Sequence, residues 1–293
     1  MDHLLNILIP GLILGGIYAL IAVGLSLQYG VGRVLNVSHG EFIILGALIT
    51  ASLFTTAGIN PFLVIVIVTP VFFGIGFGID RTMFNKLRRT SPNDDAFEGR
   101  SLLASFGVLF IVQNLMLMYW GPNIRGYSYL TTSVTILGQR YGLNRVTALV
   151  VSVVVCIGFL AFIKWTRLGK AIRASAEVPE IADALGVNRK LVMATCFGLG
   201  TALAGLAGVL YSLMFDLQGS RGIELTIIAI VVVVFGGLGS ITGSLIGGFA
   251  LGLLISMVNY FDPSLSLVAF YLVLILVLLL KPSGILGRQL HAD

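Results

Sequence analysis

Nine apolar stretches divide the chain: Leu4–Tyr29, Val37–Thr56, Pro61–Phe84, Ser101–Trp120, Val146–Trp165, Leu191–Phe215, Ile223–Phe235, Ile241–Tyr260 and Leu265–Leu280. Most approach the roughly 20 residues that an α-helix needs to cross a bilayer. The pattern predicts an all-α, polytopic helical membrane protein, a single transmembrane domain over residues 1–293. The seventh stretch is short and runs into a glycine cluster at Gly236. It reads either as a full span or as a half-helix, so eight and nine spans both stand. Glycines crowd several stretches: Gly11, Gly15 and Gly16, then Gly74, Gly76 and Gly78, then Gly198, Gly200, Gly205 and Gly208, then Gly243, Gly247, Gly248 and Gly252. That density predicts helices packed backbone to backbone.

One polar island interrupts the pattern, Gly169–Leu191, within a loop spanning 166–191. Its PEIADALG segment predicts a two-turn helix. Pro179 suits the first helical position, where its missing N–H costs nothing. Glu180 and Asp183 lie near the positive end of the dipole. Gly186 supplies a left-handed stop, and Asn188 is placed to cap the next helix. Ile181 and Leu185, four apart, share a face, while Ala182 and Ala184 keep the body narrow. A helix this short is not stable alone in water, which predicts that something holds it.

Charge orients the spans. Only 11% of residues are charged and 57% are hydrophobic, against about 25% charged in soluble domains. The net charge of +5 does not point to nucleic acid, because the basic residues sit beside the spans. Arg81, Lys86, Arg88, Arg89 and Arg100 follow the third stretch. Lys164, Arg167, Lys170, Arg173, Arg189 and Lys190 follow the fifth, and Lys281 and Arg288 end the chain. All fall on one side if nine segments alternate. By the positive-inside rule that side is cytoplasmic, the N-terminus is outside and the C-terminus inside. The first apolar stretch is too long, and lacks the basic flank, for a cleavable signal.

Chemistry is sparse. Cys156 and Cys196 lie in apolar stretches and read as buried thiols. His3, His39 and His291 are scattered, so no metal motif is expected. No catalytic set stands out, which argues against an enzyme. The pattern GxxxxGK[ST] is absent, so any ATPase would be a separate chain. The loop Gly121–Arg145 carries VTIL and QRYGLNR pieces that predict a small hairpin, either a connector or a partner contact. Asp216, Glu224 and Asp262 read as solvated charges at outside ends, and Asp80 and Arg81 as interfacial. Two junctions differ from plain packing. Asn36, Ser38, His39, Gly40 and Glu41 lead into the second stretch. Gly236, Gly237, Gly239, Ser240 and Gly243 lead into the eighth. Each reads either as a surface cap or as a helix start lining a substrate path, with free amides facing an anionic group. Acidic or histidine residues do not line up through the spans, so a proton relay is not supported.

GGIYALIAVGLSLQYG at Gly15–Gly30, LNVSHGEFIILGA at Leu35–Ala47, TRLGKAIRASAEVPEIADALGV at Thr166–Val187, VVVVFGGLGSITGSLIGG at Val231–Gly248 and LLLKPSGILG at Leu278–Gly287 occur in order. With these pieces the chain resembles the permease subunits of bacterial branched-chain amino-acid ABC transporters, the LivH type. The resemblance implies a multi-pass protein of the bacterial inner membrane, in contact with lipid. It implies a second, paralogous permease, two cytoplasmic ATPases that carry ATP and magnesium, and a periplasmic substrate-binding protein. No cofactor is expected in this chain. Glu177 to Arg189 matches the region that docks on the ATPase, which assigns coupling to Glu177, Pro179, Glu180, Ile181, Ala182, Asp183, Ala184, Leu185, Gly186, Asn188 and Arg189. Of the longer EAA consensus only Ala182, Ala184 and Gly186 are present. The implied cargo is a branched-chain or other neutral amino acid. The competing class is an ion-coupled secondary transporter of a small neutral solute, which requires carboxylates within the spans.

Overall fold

A computed structural model describes residues 2–281, 284 and 285. Arg288, His291 and part of the LLLKPSGILG stretch lie outside the described residues. The elements are α1 (Asp2–Gly32), α2 (His39–Ala57), α3 (Pro61–Ile79), a π-helical stretch (Asp80–Phe84), α4 (Asn85–Thr90), α5 (Asp94–Trp120), β1 (Ser133–Ile136), β2 (Gln139–Gly142), α6 (Leu143–Trp165), α7 (Arg167–Glu177), α8 (Pro179–Ala184), α9 (Arg189–Ser212), α10 (Gly222–Gly236), α11 (Ile241–Phe261), a 3-10 turn (Pro263–Leu265) and α12 (Ser266–Leu280). Eight helical segments among the described residues are long and apolar enough to cross a membrane, and α10 is a shorter apolar helix of 15 residues.

Side-chain caps start several of these helices. Asn60 accepts from Phe62 N, Asn93 from Ala96 N, and Thr166 from Gly169 N. Each satisfies an amide that the helix itself leaves unpaired. The hairpin expected in the Gly121–Arg145 loop forms as β1 and β2, antiparallel with Ile136 opposite Gln139. Leu137 and Gly138 turn it with φ of 51° and 88°, the sign that matches strand twist in a two-residue turn.

The helices share two ends. At the hairpin end Trp120 Nε1 donates to Ser52 Oγ, Tyr127 meets Ser212, Asn144 Nδ2 donates to Leu213 O and Tyr141 donates to Leu5 O. Burial pushes the Tyr127 hydroxyl up to about 12, so it stays protonated in this contact. At the other end Arg33 pairs with Glu98 and a Cβ on Gly32 would meet Arg88. Together with α4, α7 and α8 this basic end collects most of the cationic residues. α9 is buried along most of its length and α12 hardly at all. α1 packs against α11 with almost no space between backbones: a Cβ on Gly252 would fall on Gly15, and one on Gly248 on Ala19. The glycine-rich stretches of α1, α9 and α11 are therefore packed interior, whereas in α3 only Gly76 packs closely, against Thr201 and Gly198, and a Cβ on Gly74 or Gly78 would meet nothing within 4 Å.

Two expectations change. The third apolar segment does not end at Phe84 but continues through the π-helical stretch to Thr90, and Asp80 within it is fully buried. This brings Arg88 Nη2 to 2.9 Å from Asp80 Oδ1. A buried carboxylate is tolerated when a cation pairs with it. The first half of the polar island is also a helix, α7, with Gly169, Ile172 and Ser175 turned inward at helical spacing.

Candidate functional site

The chain leaves α1 and turns into α2 inside the protein. Asn36 and Ser38 are each 1% exposed, His39 and Glu41 0%. Gln28 Nε2 donates to Phe197 O at 3.1 Å and to Thr201 Oγ1 at 3.2 Å, tying α1 to α9. Asn36 Nδ2 donates back to Gln28 Oε1 at 3.1 Å. Ser38 makes no side-chain cap to the helix; its N–H and hydroxyl both go to Asn36 Oδ1, at 3.1 and 2.6 Å. His39 Nε2 lies 3.0 Å from Ile21 O and must be the donor, because a carbonyl only accepts. Gly40 N donates to Thr226 Oγ1 at 2.9 Å, a partner 186 residues away. A Cβ on Gly40 would fall on Gly222 O, and a Cβ on Gly222 would fall on the Glu41 carboxylate. Both Glu41 oxygens are buried with no hydrogen-bond donor. Two helix amino ends, of α2 and α10, therefore abut with only glycine between them.

Glu41 lies eleven residues before Ser52 on α2, about 16 Å at about 1.5 Å per residue. Gly222 touches Glu41, so α10 begins at that distance from the hairpin end. Glu224 lies exposed in the first turn of α10, interacting electrostatically with Tyr18 and Tyr211, and Arg221 interacts with Tyr211 as well. Asp216 does stay near the hairpin end, beside Gly126. The sequence signal for this site was the glycine that opens α10 after a charged residue. It is easily lost, because Gly222 and Thr226 gain meaning only from their partners on α2.

The second glycine junction lies at the opposite end of α10. Gly237 and Gly239 have φ of 111° and 77°, Ser240 Oγ accepts from Gly243 N at 3.1 Å, and Gly236 and Gly243 pack face to face. Gly239 rests on Gly30, and Ile285 N donates to Phe235 O. The two junctions are thus not brought together; α10 separates them.

At the basic end, α8 hangs beside α9. Gly186 has φ of 81°, and Val187 N donates to Ala182 O at 3.0 Å, closing the helix with a left-handed stop. Asn188 Oδ1 accepts from Leu191 N at 3.1 Å and starts α9. Arg189 pairs with Asp183 at 3.0 Å. Ala182, expected to keep the helix narrow and assigned with the coupling residues, is instead turned inward and docks α8, at 1% exposed. Ile181 and Leu185 point away, 57% and 77% exposed. Among the described residues no group of three or more His, Cys, Asp or Glu gathers as a metal site.

A bundle of membrane-length helices, broken in its interior and carrying a small helix pair off one end, has the build of a multi-pass transport subunit. The chain belongs to the family described as branched-chain amino acid transport system / permease component, whose model matches residues 7–278. It is 31% identical to the high-affinity branched-chain amino acid transport system permease protein BraD of Pseudomonas aeruginosa, over 98% of this chain and 96% of that one. It is 30% identical to the corresponding LivH protein of Escherichia coli K12 over the same shares. It is 27% identical to a probable LivH permease of Methanocaldococcus jannaschii over 96% and 92%. No solved structure matches.

Proposed function

We infer that this chain is the membrane-spanning subunit of an ABC importer for branched-chain or other neutral amino acids. ATP hydrolysis on a separate subunit drives it. The observation that carries this is the family match over nearly the whole length, joined to the exposed Ile181–Leu185 stripe on a helix with no core of its own. Helix-in-groove docking uses a stripe of that size. The partners are a second permease, two cytoplasmic ATPases binding ATP and magnesium, and an outside binding protein. Residues Glu177–Arg189 take the coupling role. Asn36, Ser38, His39, Gly40 and Glu41 shape the substrate path. Gly236, Gly237, Gly239, Ser240 and Gly243 hold its basic-end closure. The basic end faces the cytoplasm, with the N-terminus outside.

Co-purification in mild detergent with uptake in reconstituted vesicles tests this. A stoichiometric ATPase and ATP-dependent leucine uptake are expected. Uptake by the chain alone, driven by an ion gradient, refutes the reading and favours the secondary transporter. Cysteines placed at Asn93 and Glu177 should resist an impermeant outside thiol reagent that labels one at Ser133. Labelling at Glu177 overturns the orientation.

A further inference from the structure

We propose that the amino end of α10 holds the zwitterionic head group of the transported amino acid, with Arg221 and the first α10 amides taking its carboxylate and Glu224 its ammonium. This rests on the amino-acid importer reading and adds the recognition chemistry.

Four observations converge. First, α10 begins inside the protein, where Gly222 abuts Gly40 and Glu41. Its first intrahelical acceptor is Arg221 O, used by Leu225 N, so the amides before Leu225 are not used by the helix. Such an end attracts an anion, and at membrane depth it is tolerated only in protein or on a wet path. Second, Glu41 is 0% exposed, aimed at that same end, and neither oxygen has a donor. A buried acceptor-only group of this kind calls for a donor. Third, Arg221 and Glu224 are exposed on the flank of this end, near the half-buried Tyr18 and the buried Tyr211. Charges on an apolar bundle, this far from its hairpin end, do not face lipid without a large cost, so they face a path. Fourth, Arg221 and Glu224 offer one charge of each sign on the same flank. A zwitterionic head group matches both, its carboxylate toward Arg221 and the α10 amides and its ammonium toward Glu224, whereas a solute without that pair of charges matches neither.

The test is equilibrium dialysis of radiolabelled leucine on the permease–ATPase complex purified without its binding protein, with competition by isocaproate, which lacks the ammonium, and by leucine methyl ester, which lacks the carboxylate. For the wild type both competitors should be at least about tenfold weaker than leucine, the scale of one hydrogen bond to a charged group. Glu224→Gln should weaken leucine by about tenfold and lose the discrimination against isocaproate. Arg221→Gln should lose the discrimination against the methyl ester. Glu224→Asp, which keeps the charge, should retain leucine preference, and this separates recognition from folding. Wild-type affinity and selectivity in both glutamine variants overturns the proposal, as does a wild-type complex that binds isocaproate as tightly as leucine. A complex that transports leucine while both variants behave normally refutes only this site. One that neither binds nor transports leucine refutes the importer reading with it.

Discussion

Gly40 and Gly186 each stand at the end of a helix, and their surroundings are opposite. Around Gly40 there is no space: Gly222 O and the Thr226 side chain occupy the position a Cβ would take. Its φ is not in the left-handed region, so only volume demands glycine. Around Gly186 nothing lies within 4 Å, and φ of 81° alone demands it. The first glycine lets two helix ends meet inside the bundle. The second stops a helix whose Ile181 and Leu185 stay exposed. The interior junction is therefore closed within this chain, whereas on the proposed coupling role α8 is closed by a partner. Defects in the first should appear as loss of fold, and defects in the second as loss of partnership.

The largest effect is expected from Gly40→Leu. Overpacking costs about 1–3 kcal/mol where side chains can yield, and here the obstacle is a backbone carbonyl. The detergent-solubilised protein should melt well below wild type or fail to accumulate. A wild-type melting curve would show that α2 and α10 are not locked. Next is the double change Ile181→Asp with Leu185→Asp. Burying Leu185 on a partner contributes about 1.5–3 kcal/mol, and two carboxylates in that contact add a penalty. Affinity for the ATPase should fall by at least about tenfold, with uptake lost and the melting temperature unchanged because both side chains are exposed. Unaltered uptake and ATPase binding would remove α8 from coupling.

Gly186→Val should act in the same direction more weakly. A left-handed L-residue costs about 1–2 kcal/mol, more when β-branched. The helix end should fray and uptake fall severalfold while the bundle stays folded, and Gly186→Asn should recover much of the loss. Equal uptake by the valine and asparagine variants would mean the cap is irrelevant. The smallest effect belongs to Arg189→Ala. Its pair with Asp183 has side chains 32% and 52% exposed, and such pairs contribute about 0–1 kcal/mol. Uptake within about twofold of wild type is expected; a large loss would assign Arg189 a direct partner contact.

Much was legible because it is local. Pro179, Gly186 and Asn188 act within a few residues of themselves, so the start and stop of α8 and the cap of α9 followed from spacing. The apolar stretches did too, since length and composition alone decide whether a helix crosses a bilayer. Even the interior helices carried a mark, the glycines of α1, α9 and α11, which α12 lacks entirely. Tertiary structure alone decided the pairing of Asp80 with Arg88, the inward turn of Ala182, and where inside the bundle α10 begins. It alone set Glu41 against Gly222. The physical reason is that lipid is as apolar as a protein core. In water an amphipathic stripe announces which face is buried. In a bilayer α9 and α12 are both apolar all round, one buried and one exposed. Which polar groups meet inside then depends on contacts between residues far apart in the chain, such as Gly40 and Thr226, that no local pattern encodes.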